Sequence, residues 1–273
     1  MIRLPISGVE ARWRPSTGHD DIALVDSVPG LAGALAYVAR EVDHVGGLPL
    51  DAASLPIGDI DFLVLMRRRE VRGDIFAAEG RCEHCGAAVD LRFNLSEYAS
   101  HHRPRPPRGV APAQEPGWWR LTRYEVAFRV PVAGDVLAVM TSKTPSAELL
   151  RRCVKGSATS RVARAAERAM AAIAPTLRAD VAGSCPECQA RVLLDVDARE
   201  LCLTELRFLA ACVYDDVNLI ASVYHWSEGA ILELTSSRRR RYADLIAGRS
   251  NDLALPAAER SVAWRPRLPG AAA

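Results

Sequence analysis

The chain has 273 residues, of which 49% are hydrophobic and 25% are charged, a composition typical of a globular protein. Its 35 Lys and Arg residues nearly balance its 33 Asp and Glu residues, so a net charge of +2 does not indicate a basic nucleic-acid-binding domain. No window reaches the ~18 to 20 uninterrupted apolar residues of a membrane helix, and the first residues lack a signal-peptide pattern. We therefore expect a cytoplasmic protein with no membrane partner.

The first predicted segment comprises residues 1–54 and carries no motif of known chemistry. Irregular strands are expected at its start. A helix is predicted over residues 31–42, because Leu31, Leu35 and Val38 recur there at helical spacing. The sequence therefore predicts secondary structure for this segment but no function.

The second predicted segment, residues 55–103, opens with another helix and continues into a cysteine-containing turn. Asp59 is expected to cap the helix, with Asp61 as a neighbouring acid in its first turn. The arginines at 67–69 are expected near the helix end, where cations favour the helix dipole. The two acids are therefore interpreted as structural.

The most informative feature of the sequence is a Cys-x-x-Cys pair that occurs twice. In each copy the pair is followed by residues that alternate at strand period, which predicts a β-hairpin. A shift of 103 positions places one copy on the other, so that both the cysteines and the following apolar residues coincide. The two pairs are Cys82 with Cys85 and Cys185 with Cys188. We interpret them as an internal repeat.

The remaining chain divides by composition and periodicity. The predicted segments are a Pro/Arg-rich linker at 104–117, strands, helices and the second cysteine pair at 118–200, a helical region at 201–248 and a loose tail at 249–273. Within the helical region we predict one long helix over about 204–224 and then two short helices, the first of them capped by Ser227. The whole pattern predicts an α+β fold with two repeated, zinc-ribbon-like Cys-x-x-Cys β-hairpins, packed helices and a C-terminal helical hairpin.

The repeated pairs predict a metal site. Two thiolates three positions apart on a tight turn bind one face of a tetrahedral ion, and a second such turn completes the coordination. We predict one structural Zn²⁺ shared by Cys82, Cys85, Cys185 and Cys188. The alternatives are metal-free reduced thiols and a redox pair, although each pair leads into a strand and lacks the helix N-terminus that activates a redox thiol. His84 is expected to face solvent rather than to replace a cysteine ligand.

Other chemistry is sparse. Cys153, Cys202 and Cys212 lie in apolar stretches and are expected in the core. The sequence contains no Walker loop, Gly-x-Gly-x-x-Gly, nucleophile elbow or His-Glu-x-x-His, and Pro186 lies between two thiols, unlike a cytidine deaminase signature. The four arginines at 238–241 would spread around a helix, which favours a solvated helix over a phosphate site. We therefore expect no enzymatic activity.

Two segments carry a family resemblance. The first runs from Leu55-Pro-Ile-Gly-Asp-Ile-Asp-Phe-Leu-Val-Leu-Met-Arg-Arg-Arg to the first cysteine knuckle, and the second combines Trp226-Ser-Glu, Ile231-Leu-x-Leu and Arg238-Arg-x-x-Tyr. Over residues 55–246 the chain resembles the baseplate hub assembly chaperone family of T-even-like contractile phages and its relatives in phage-tail-like contractile injection systems.

The resemblance implies a non-enzymatic assembly factor, or a minor baseplate or hub component that is incorporated into a tail-like particle. The implied partners are baseplate, hub or tape-measure proteins. The candidate partner-binding residues are Trp226, Ile231, Leu232, Arg239 and Tyr242, with structural packing as the alternative for Trp226.

A zinc-dependent nucleic-acid-binding regulator is the alternative function, because a helix pair and runs of arginine are present. Nucleic acid is the less expected partner, since residues 235–237, at the start of the helix that would read bases, are small and uncharged.

Overall fold

The computed structural model describes residues 1–45, 48–156 and 159–248. The predicted tail at 249–273 lies outside the described residues. Mixed helices and small antiparallel sheets confirm the α+β class. The strands are β1 (Ile2–Arg3), β2 (Glu10–Trp13), β3 (Val42–His44), β4 (Ile75–Arg81), β5 (Ala88–Asn94), β6 (Val110–Pro112), β7 (Trp118–Leu121), β8 (Val126–Arg129), β9 (Arg178–Ser184) and β10 (Arg191–Asp197). The helices are α1 (Gly18–Val25), α2 (Leu31–Glu41), α3 (Ile57–Arg72), α4 (Leu95–His101), α5 (Ala133–Val139), α6 (Pro145–Cys153), α7 (Ser160–Ile173), α8 (Ala198–Ala210), α9 (Cys212–Tyr224), α10 (Glu228–Leu232) and α11 (Ser236–Ile246).

The N-terminal segment forms a small sheet against a helix. Strands β1, β2 and β3 are antiparallel in that order, and α2 buries Leu35 and Val38 in the main core. The helix predicted over residues 31–42 is confirmed except at its end. Val42 pairs with Trp13 as the first residue of β3, because its branched side chain suits an extended backbone.

Helix α3 carries buried acids that hold other segments in place. Asp59 does not cap the helix, because Pro56 precedes its first turn as the flanking residue. The Asp59 carboxylate instead accepts the backbone N–H groups of Ile6 at 2.9 Å and Ser7 at 2.8 Å. Asp61 accepts the backbone N–H of Leu177 at 2.9 Å. The expectation of a helix cap was wrong, because both carboxylates satisfy backbone donors that are distant in sequence.

The internal repeat extends beyond the cysteines. Helix α3, the β4–β5 hairpin and the start of α4 recur 103 positions later as α7, the β9–β10 hairpin and the start of α8. The two hairpins have the same register. The same backbone bond joins each hairpin to its following helix: the Leu95 N–H donates to the Asp74 carbonyl at 2.9 Å, and the Ala198 N–H donates to the Leu177 carbonyl at 3.0 Å. The repeat is therefore a helix–hairpin–helix unit.

The two units are joined through α3 and α8, which pack against each other. Buried Arg68 on α3 pairs with Glu205 on α8 and also donates to the carbonyl oxygens of Gly73, which follows its own helix, and of Ile75, which begins β4. The Asp61 carboxylate pairs with Arg199 at 3.0 Å. These charges are partnered across the interface, as buried ions require.

The segment between the units forms its own sheet, which shares a core with α6 and with α7 of the second unit. Strands β6, β7 and β8 are antiparallel, and Phe128, Cys153 and Met170 belong to a buried cluster between this sheet and its helices. The edge strand β6 lies within the predicted 104–117 linker. An edge position tolerates Pro112, because its missing N–H is not needed by an inner ladder.

The described residues from 198 to 248 form four helices. The predicted long helix over 204–224 is wrong, since α8 ends at Ala210 and α9 begins at Cys212. Helix α8 also begins earlier, where the Asp197 side chain accepts the Glu200 N–H. The prediction that Ser227 caps a helix is confirmed, because its Oγ accepts the Ala230 N–H at 3.3 Å.

Candidate metal centre

Each cysteine pair lies on a tight turn at the tip of its hairpin. In the first turn the Cys82 N–H donates to the Ala87 carbonyl at 2.9 Å, and the Gly86 N–H donates to the Cys82 carbonyl at 2.8 Å. In the second turn Cys185, Ala190 and Gln189 repeat both bonds, at 2.9 and 3.0 Å. Both turns need a left-handed residue, which is Gly86 in one and Gln189 in the other.

The two turns bring four sulfur atoms together. The Sγ atoms of Cys82 and Cys188 are 3.7 Å apart, those of Cys85 and Cys185 are 3.6 Å apart, and all four lie within 4.8 Å of one another. A tetrahedron with zinc–sulfur bonds of about 2.3 Å has sulfur–sulfur edges of about 3.8 Å. The cluster therefore has the donor type, number and spacing that a tetrahedral zinc ion needs.

The surroundings of the cluster shift the pKa values of Cys82 and Cys85 in opposite directions. The backbone N–H groups of Cys85 and His84 lower the pKa of the Cys82 thiol to about 7. Although the Ala87 N–H opposes the change, the thiols of Cys188 and Cys185 raise the pKa of Cys85 to about 12. Four thiolates so close together repel one another, and a bound cation would stabilise all of them.

Apolar residues surround the cluster on the side away from solvent. Cys82, Cys185 and Val192 are buried, Cys188 is half-buried and Cys85 is exposed. The two hairpins are in contact, because a Cβ at Gly80 would lie 2.9 Å from the Leu194 side chain. Hairpin contact and sulfur geometry therefore join segments about 100 residues apart in sequence.

The cysteines and histidine outside the predicted ligand set behave nearly as expected. Cys153 and Cys202 are buried in core clusters, whereas Cys212 is only half-buried. His84 is exposed. Among the described residues, the four predicted cysteines lie close enough together to hold a metal ion.

The predicted partner-binding residues separate into two groups. Trp226 is 38% exposed, and its ring lies 5.3 Å from both Tyr224 and Tyr242, measured between ring centroids. These three rings form an aromatic patch at the junction of α9, α10 and α11. The Arg238 guanidinium lies 5.9 Å from the centre of the Tyr242 ring.

The other candidates are inside the fold. Ile231 and Leu232 are buried, and Arg239 is 0% exposed. Arg239 donates to Asp21 at 2.7 Å and to Asp216 at 3.1 Å, so it joins α11 to α1 and α9. Their assignment to a partner surface is corrected: the three side chains hold the C-terminal helices together. The expectation of a solvated arginine helix was also wrong at Arg239.

Two structural networks were missed from the sequence. One links Arg239 to its two aspartates, and the other links Asp61 to Arg199 across the units. The members of each network are far apart in sequence, and neither network contains a local motif. An arginine run usually indicates a solvated surface, so it gave no signal that one member would be buried.

No helix in the described residues is long and apolar enough to cross a membrane. Comparison with family models, curated proteins and solved structures finds no match to this chain.

Proposed function

We propose that the chain is a non-enzymatic assembly factor, or a minor component, of the baseplate or hub of a contractile tail or injection system, stabilised by one structural zinc ion. The observation that carries the zinc part is the four-cysteine cluster, whose S–S distances of 3.6 and 3.7 Å suit a tetrahedral ion. The tail-assembly part depends on the motif resemblance over residues 55–246.

The zinc would have a structural role, because four cysteine ligands close the coordination sphere. A catalytic zinc keeps one position open for water or substrate. The ligands come from two hairpins, so the ion would link the two helix–hairpin–helix units and stabilise their packing through α3 and α8. This structural role requires only that the four thiolates bind the ion.

The aromatic patch supports a role in protein binding. Tyr224, Trp226 and Tyr242 present partly exposed rings, and aromatic residues are enriched at protein interfaces. We propose that a hub, baseplate or tape-measure protein contacts this patch. Arg238 beside Tyr242 would extend the contact with a charge.

Two substitutions test the zinc part. Cys82→Ser removes one ligand, so we expect loss of bound zinc and a lower melting temperature than in the unchanged protein. Cys212→Ser is the matched control, because Cys212 is half-buried and outside the cluster. Full zinc content and an unchanged melting temperature in Cys82→Ser would contradict the proposal.

An affinity pull-down from the native host at moderate salt tests the assembly part. We expect tail proteins to be retained, and we expect Trp226→Ala to lose them while Tyr214→Ala, an exposed residue of α9 outside the patch, keeps them. Recovery of nucleic acid without tail proteins, weakening steeply with salt, would favour the zinc-dependent regulator instead.

A further inference from the structure

One cleft at the surface combines apolar and positively charged side chains. It has a volume of about 410 Å³ and is formed by the N-terminal segment, α3, α4 and the chain just before β9. Its floor includes the half-buried side chains of Phe62 and Met66, and its rim carries Arg3, Arg69 and Arg103. No carboxylate is among the described residues that line it.

The rim arginines differ in how well their charges are compensated. Arg69 pairs with Asp74 at 2.9 Å, so its charge is partly neutralised. Arg3 and Arg103 are exposed, and neither forms an ion pair within the described part of the chain. Most arginines of α3 and α8, by contrast, are paired with acids. The cleft therefore presents uncompensated positive charge above an apolar floor.

Two polar groups near the rim add hydrogen-bonding capacity. Ser100 is exposed on α4 and lines the cleft. The His102 ring also lines it, and His102 Nδ1 lies 2.8 Å from the Tyr98 carbonyl oxygen. A carbonyl only accepts, so Nδ1 donates and Nε2 is the ring nitrogen left for another partner.

We propose that this cleft binds an acidic peptide segment of a partner protein, in which carboxylates alternate with apolar side chains. The carboxylates would meet Arg3 and Arg103, and the apolar side chains would cover Phe62 and Met66. The charge complementarity selects an anionic ligand, and the apolar floor selects a peptide over a bare phosphate. The proposal is independent of the tail-assembly function and of the aromatic patch.

Fluorescence anisotropy on the full, zinc-loaded chain tests the proposal. The probe is a short labelled peptide in which glutamate and leucine alternate. We expect saturable binding that weakens when glutamine replaces each glutamate and also when glycine replaces each leucine. Absence of binding, or equal binding of the glutamate–glycine peptide, would overturn the proposal.

Substitutions in the chain locate the site. Arg3→Gln combined with Arg103→Gln should weaken peptide binding about tenfold, and both side chains are exposed, so folding should be retained. The matched control is Arg161→Gln combined with Arg168→Gln, two exposed residues of α7 that do not line the cleft and make the same charge change. Equal loss of binding in both double variants would show only a general charge effect and would overturn the proposal.

A labelled single-stranded oligonucleotide and inorganic phosphate complete the test. We expect neither to compete with the peptide at moderate salt. Displacement of the peptide by either anion, with the same dependence on Arg3 and Arg103, would replace the peptide with a phosphate ligand and overturn the proposal.

Discussion

The two cysteine turns offer a matched pair of substitutions at one backbone position. Gly86 has a φ of 72° and Gln189 a φ of 59°, so both adopt the left-handed conformation. That conformation costs a non-glycine residue about 1–2 kcal/mol, whereas glycine loses about 0.5–1 kcal/mol through its greater freedom in the unfolded chain. The difference favours glycine by about 0.5–1 kcal/mol at each position.

The atoms around residues 86 and 189 add little to this backbone preference, so the preference should determine how each substitution changes stability. A Cβ at Gly86 would meet nothing within 4 Å, so Gly86→Gln adds no clash. Gln189 is exposed, and its side chain makes one long bond to the Pro186 carbonyl at 3.3 Å. We therefore expect Gln189→Gly to raise the free energy of unfolding by about 0.5–1 kcal/mol and Gly86→Gln to lower it by a similar amount.

Urea unfolding of the zinc-loaded proteins measures both changes, with free zinc buffered at one concentration for all samples. The two substitutions should shift the transition midpoint in opposite directions while the slope stays constant. A stabilising effect of Gly86→Gln, or a clear destabilisation by Gln189→Gly, would refute the assignment of the left-handed turns.

Three further predictions concern the rest of the fold. Arg239→Met removes the ion-pair partner of buried Asp216 and half-buried Asp21, and we expect it to lower the free energy of unfolding by about 3 kcal/mol in urea unfolding; a neutral result would contradict the buried pairing. Gly58→Ala places a Cβ 2.1 Å from the Pro175 carbonyl oxygen and should lower the free energy of unfolding by about 1–3 kcal/mol. Gly229 lies in α10 with open space around it, so Gly229→Ala should raise the melting temperature. Burial raises the pKa of Asp61 from 3.8 to about 6, against the opposing effect of Arg199. Between these two pH values the folded state binds a proton that the unfolded state has lost, so the contribution of Asp61 to the free energy of unfolding falls as the pH rises. Asp61→Asn should therefore flatten this part of the plot of unfolding free energy against pH, and an unchanged plot would contradict the raised pKa.

Local patterns in the sequence predicted several of the helices and hairpins but not the pairing of charges. The alternating residues after each cysteine pair predicted both hairpins, and Ser227 predicted the start of α10, because turns and caps depend on neighbouring residues. The break between α8 and α9 was missed, since Ala211 carries no helix-breaking signal.

The burial of Arg239 could not be predicted in the same way. Its partners Asp21 and Asp216 come from two other helices, and only the tertiary fold brings them within reach. Asp59 is a similar case, because a first-turn acid resembles a helix cap until the distant Ile6 and Ser7 N–H groups are in place. Side chains that satisfy distant groups have no local signature.

We propose that one zinc ion is bound by the four cysteines of two separate hairpins. X-ray absorption at the zinc edge of the purified protein, combined with its metal content, tests this most directly. We predict one zinc per chain with four sulfur ligands at about 2.3 Å. Zinc bound by two sulfurs together with oxygen or nitrogen ligands, or a folded protein purified without zinc that does not take it up, would contradict a four-cysteine zinc site.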